Sequence, residues 1–163
     1  NTNLYFTNSR VESVVNPLLA LKGTIYHHIS TSSFNPADSS FTYFGLEGIG
    51  NTTYGSLLVP NIRAKGVPKT GTIKSMVVTR YIGNSATATT EDVTWTLRNH
   101  TTSTNYTVGT SPLSPNGNNM NTTVFTGLSI PVTIGNLCST IMSSPVFAVN
   151  PTNVYIVVEY LIE

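Results

Sequence analysis

Charge is scarce in this sequence. Only 9% of its residues are charged, against about a quarter in an ordinary soluble domain. The 8 Lys and Arg nearly balance the 7 Asp and Glu, leaving a net charge of +1. So weak a field offers no global attraction for nucleic acid, which is therefore not expected among the partners. Cysteine is nearly absent as well. Cys138 is the single one, so no disulfide can close within the chain and cysteine usage indicates no compartment. Set in Leu137-Cys138-Ser139-Thr140-Ile141, its thiol reads as a small buried hydrophobe and not as a nucleophile. Long apolar runs are missing too, so membrane insertion is not expected. Asn1 to Val15 lacks the basic, apolar, small-residue order of a signal peptide. Export information is then expected to have been trimmed away, or the protein to be exposed by lysis or assembly.

Thr, Asn, Ser and Gly are abundant, and 39% of the residues are hydrophobic. Thr is β-branched, and Asn and Ser compete for backbone hydrogen bonds, so helices are disfavoured and pleated strands joined by tight turns are favoured. The 163 residues suffice for one domain with a sizeable core and leave no room for a second. The expected class is all-β.

Strands are predicted over Gly23 to Ser30, Phe41 to Glu47, Gly55 to Val59, Thr72 to Ile82, Val93 to Asn99, Ser103 to Val108, Thr122 to Thr126, Leu128 to Thr133, Leu137 to Met142 and Val154 to Ile162. Asn16-Pro17, Asn35-Pro36, Val67-Pro68, Asn150-Pro151 and the Ser111-Pro112 to Asn119 stretch punctuate them with turn residues. Many short strands so punctuated are the mark of a β-sandwich. Alternation places Val93, Trp95 and Leu97 on a core face and Thr94, Thr96 and Arg98 on a solvated one.

The last strand is apolar on both faces. Val154, Ile156, Val158, Tyr160 and Ile162 share one face, and Tyr155, Val157, Glu159 and Leu161 the other. With no helix to cover the second face, a neighbouring subunit is the economical cover. Thr72 to Ile82 behaves similarly, with Ile73, Val77 and Tyr81 on one side and Met76, Val78 and Ile82 on the other, interrupted by Lys74 and Arg80. A homo-oligomer is expected, with Tyr155, Val157, Glu159, Leu161, Met76, Val78 and Arg80 at its interface and Glu159 paired to a basic residue at the boundary. Loops of the same chain are the alternative cover.

Gly45-Leu46-Glu47-Gly48, Val67-Pro68-Lys69-Thr70-Gly71-Thr72-Ile73-Lys74-Ser75 and Thr126-Gly127-Leu128-Ser129-Ile130-Pro131-Val132-Thr133, taken with Val93 to Arg98 and the terminal strand, form a layout. It resembles the C-terminal heads of collagen-like spore-surface glycoproteins and related fibre or virion tip domains, over residues 41 to 163. The resemblance implies a jelly-roll sandwich similar to tumour necrosis factor and complement heads, forming a compact homotrimer at the end of a stalk. Residues 1–22 are expected to lead in from the stalk or a partner, and 23–163 to form the head. No collagen-like tract is present, so a stalk is expected before Asn1 or in another protein.

The 3 histidines and 7 carboxylates show no nucleophile elbow, zinc-ligand spacing or phosphate loop, so no enzymatic activity, cofactor or metal is expected. Glu91-Asp92 precedes a strand, where adjacent side chains point to opposite faces and do not converge on one glycosidic bond. The same alternation separates the rings of His27-His28, although a trimer axis would gather three copies of one of them. Arg63, Lys65, Lys69 and Lys74 place half of the basic residues in one short region. They suit a sulfated or sialylated glycan, and equally a protected edge strand with its loop. Asn99, His100, Asn105 and Tyr106 combine amide, imidazole and aromatic groups suited to neutral sugar, or form a plain turn. Asn51-Thr52-Thr53, Asn99-His100-Thr101, Asn105-Tyr106-Thr107 and Asn121-Thr122-Thr123 match the N-glycosylation pattern, which chance supplies in a chain so rich in Asn and Thr.

The expected function is a non-enzymatic trimeric fibre or spike head on the extracellular surface of a cell, spore or virus particle. It would bind itself, a host-surface glycan or glycoprotein, and a stalk or shell protein. The alternative is a structural coat or spore-shell protein with no ligand of its own. The lack of a basic N-terminal arm argues against a capsid that packages nucleic acid directly.

Overall fold

The computed structural model describes residues 24–30, 33–44, 52–54, 64–83, 91–113 and 120–163. Among them the chain is all strand and turn, with no helix. The strands are β1 (Thr24–Ser30), β2 (Phe41–Phe44), β3 (Thr52–Tyr54), β4 (Lys65–Gly66), β5 (Gly71–Ile82), β6 (Asp92–Asn99), β7 (Thr104–Pro112), β8 (Met120–Phe125), β9 (Ile130–Val132), β10 (Leu137–Ser143) and β11 (Val154–Ile162).

They form two antiparallel sheets. The first has the order β1-β11-β5-β8, with β9 pairing β5. The second runs β3-β2-β10-β6-β7, with β4 pairing β10. Both sheets use one device, a long central strand whose edge is shared by two short ones. Gly71 to Ile73 of β5 pair β9 and Met76 to Tyr81 pair β8; Leu137 and Cys138 of β10 pair β4 and Thr140 to Ser143 pair β2. The core lies between the sheets. Ile73, Met76, Val78, Ile82, Ile156, Val158 and Tyr160 of the first meet Phe44, Val93, Trp95, Leu97, Cys138 and Met142 of the second. Full burial of each such aliphatic side chain contributes about 1.5–3 kcal/mol. Two polar groups that burial takes into the core are bonded, whereas the Thr42 hydroxyl is buried without a partner. Trp95 Nε1 donates to Ser111 Oγ at 2.8 Å, and the Tyr160 and Thr140 hydroxyls meet at 2.7 Å across the gap between the sheets.

The terminal strand has the predicted bounds, Val154–Ile162. Three expectations change, and a fourth lies beyond the described residues. The strand expected over Gly55 to Val59 lies outside the described residues, where Thr52–Tyr54 precedes it. β7 runs on to Pro112, because β6 offers it partners as far as Asp92 and an edge strand tolerates the missing N–H. β4 is too short to leave a sequence pattern. Thr96 and Arg98 are buried, where a solvated face was expected. β6 lies inside its sheet, and the outer face beside it carries a second apolar cluster, Tyr43 and Ile141 with Phe41 against them. Ile141 stands directly opposite Thr96.

Met76 and Val78, expected at a subunit interface, are fully buried between the sheets. The β5 ladder shifts register where Leu161 pairs Ser75 and Ile162 pairs Ile73. This irregularity at Lys74 puts Ile73 on the same inner face as Met76, Val78 and Ile82, so strict alternation from Ile73 fails. The outer face of β5 therefore carries Ser75, Val77, Thr79 and Tyr81.

Candidate functional sites

The outer face of the first sheet mixes apolar and polar positions, with the Thr79 and Thr122 hydroxyls 3.3 Å apart between its more apolar rows. Tyr155, Tyr81 and Met120 stand in register across β11, β5 and β8, as do Glu159, Val77 and Val124. Met120 is 71% exposed, Val124 57% and Tyr155 43%. Val157, Glu159 and Leu161 are half-buried. The Tyr81 and Tyr155 rings pack with centroids 5.9 Å apart, tilted by 59°. Arg80, also expected at this face, turns the other way. It is buried, with Nη1 donating to Thr123 Oγ1 at 2.8 Å, and burial lowers its pKa.

A polar site occupies the outer face of the second sheet. Ser139 of β10, Arg98 of β6 and Asn105 of β7 stand directly opposite one another, in one row across three strands. Arg98 Nη1 donates to Asn105 Oδ1 at 2.8 Å. His100 follows Arg98 by two residues, and its Nε2 hydrogen-bonds the Ser139 hydroxyl. Burial and then the Arg98 charge lower the His100 pKa, so its ring is neutral at pH 7. Ser139 is completely buried, so its pairing with a histidine offers no nucleophile to a substrate.

The hairpin that presents this row is pinned by its own amides. Asn99 Oδ1 accepts from the Thr102 backbone N–H at 3.2 Å, while its Nδ2 donates to Asn136 Oδ1 at 3.0 Å. The His100 N–H reaches the Leu137 carbonyl at 2.7 Å, and Thr101 Oγ1 accepts from the Leu137 N–H at 2.9 Å. Ser103 closes the turn with φ 56.

The expected sugar-binding quartet is thus divided. Asn99 is buried and holds the turn, which also removes it as a glycosylation acceptor. Tyr106 faces inward, half-buried against the core. His100 and Asn105 stay on the outer face. The basic quartet is divided as well: Lys65 belongs to the second sheet, Lys74 is exposed on the first, and Lys69 is half-buried in the turn between them. Arg63 lies outside the described residues. Arg98 and Ser139 were missed. Arg98 alternates as a solvated residue would, and Ser139 meets it only by long-range pairing.

No protein-family model and no curated protein matches this chain. Glu91 is half-buried, and its Oε1 accepts from the Ala148 N–H at 2.9 Å, while Asp92 is exposed. The β1 ladder shifts register between His27 and Ile29, so regular alternation does not run through His27-His28 as expected; their side chains lie outside the description. Among the described residues no group of three or more His, Cys, Asp and Glu is placed to hold a metal ion.

Proposed function

We propose that this chain is the head of a homotrimeric surface fibre or spike, a jelly roll of tumour-necrosis-factor-like architecture, which attaches its bearer to a carbohydrate receptor at an extracellular surface. The observation that carries the proposal is the outer face of the β11-β5-β8 sheet, where Met120, Val124 and Tyr155 stand exposed beside Val77 and Val157, with Thr79, Thr122 and Glu159 among them. Exposed apolar side chains gathered on one sheet face of a domain mark an interaction site, and copies of the same chain around a three-fold axis would cover it. The jelly-roll reading rests on the wiring. The chain passes from the first sheet at β1 to the second at β2, returns at β5, crosses again at β6 and β8, and ends by alternating β10 with β11.

Carbohydrate fits the other exposed surface, where amide and hydroxyl groups outnumber charges, as around Asn105 and Thr107. Light scattering at micromolar concentration tests the assembly: the native protein is expected to be a trimer and Val157→Lys a monomer, because the lysine would be buried without a partner. A native monomer overturns the trimer. A glycan array then separates an attachment head from a coat protein, since a trimer that binds no glycan supports the coat.

A further inference from the structure

Arg98 is 9% exposed, yet its guanidinium has a neutral amide for a partner. Its Nε–H is buried with no acceptor. Removing a guanidinium from water is costly unless an anion offsets the loss, and its planar N–H fork fits carboxylate oxygens in pairs. Ser139 and Asn105 flank it in register, and His100 brings no negative charge. What the row lacks is an anion. Asn105, Thr101, Thr102 and Thr107 are exposed around it and offer amide and hydroxyl groups at the spacing of a hairpin end. Such a rim suits sugar hydroxyls.

We propose that Arg98, with His100 and Asn105 beside it, binds the carboxylate of an acidic sugar. The inference rests on the attachment reading for its choice of carbohydrate and names the chemistry that reading leaves open. The anion meets the guanidinium where it remains exposed and offsets its charge, while the Asn105 amide, whose oxygen is committed to Arg98, donates its hydrogens to the sugar. His100 reports on occupancy. An anion at Arg98 offsets the charge that lowers the His100 pKa, so binding raises that pKa and tightens as pH falls.

The test is an NMR titration of the full chain at low salt and pH 7 with sodium glucuronate, glucose and sodium sulfate as probes. The Arg98 Nε–H and His100 ring signals are expected to shift saturably with glucuronate and not with glucose, and the His100 pKa to rise when glucuronate is bound. Arg98→Lys keeps the charge and loses the fork, and is expected to weaken glucuronate roughly tenfold or more. Asn105→Ala, at an exposed position, is expected to weaken glucuronate more than sulfate, which keeps the proposal testable should Arg98→Lys fail to fold. Equal shifts with glucose and glucuronate, binding of sulfate alone, or glucuronate affinity indifferent to both substitutions would overturn it. Light scattering reads the trimer separately, so a monomer that binds glucuronate defeats only the fibre head, and a trimer that ignores it defeats only this site.

Discussion

At Cys138, burial in the core pushes the thiol pKa up from its ordinary 9.0 to about 12. Thiolate is the reactive form, so the native protein should resist a thiol-reactive dye at pH 8 and react fully once unfolded in guanidinium; reaction of the native state would show that β10 opens readily. The same shift fixes a sign for stability. The folded thiol holds its proton where the unfolded one has lost it, so this contribution is intact below pH 9.0 and declines as pH rises toward about 12, by about 1.4 kcal/mol per pH unit at most. Denaturant melts from pH 8 to 11 should show that decline, and a cysteine-to-alanine substitution should remove its share. The burial of Cys138 was legible from its apolar setting. The burial of Arg98 was not, because a strand alternating Val93-Thr94-Trp95-Thr96-Leu97-Arg98 reads the same whether its polar face meets water or further chain.

Among the elements, β5 shows what a bulge does to a sequence pattern. Its bounds were nearly as predicted, but the shift at Lys74 moved Met76 and Val78 inward and left Val77 and Tyr81 outside. The start of β5 is also tied to the end of β11. Thr72 and Glu163 exchange backbone hydrogen bonds at 2.7 and 3.0 Å, and a Cβ on Gly71 would collide with the Glu163 carbonyl oxygen and touch Ile162 at 3.0 Å. Backbone cannot yield as a flexible side chain does. Gly71→Ala is therefore expected to cost about 1–3 kcal/mol in chemical denaturation. Gly66→Ala, with open space around its Cβ, is expected to stay within about 0.5 kcal/mol. Equal effects at the two glycines would show that the β11 end does not hold β5.

For the whole molecule, the two-faced pattern of Val154–Ile162 makes assembly measurable. If copies of the chain cover the outer face of β11, β5 and β8, association adds stability by mass action, and Tm should rise with protein concentration from about 1 to 100 µM. A constant Tm across that range would mean that the face stays uncovered. The sequence by itself determined the all-β class, most strand bounds and the inner faces of β6 and β11, because period-two burial and turn residues act over a few neighbouring positions. Tertiary structure alone decided which strands share a sheet, that Tyr81 and Met120 join Tyr155 in one row, and that Ser139, Arg98 and Asn105 line up on one outer face. Those relations depend on pairing between residues far apart in the chain, and the alternation within a single strand does not specify its neighbour.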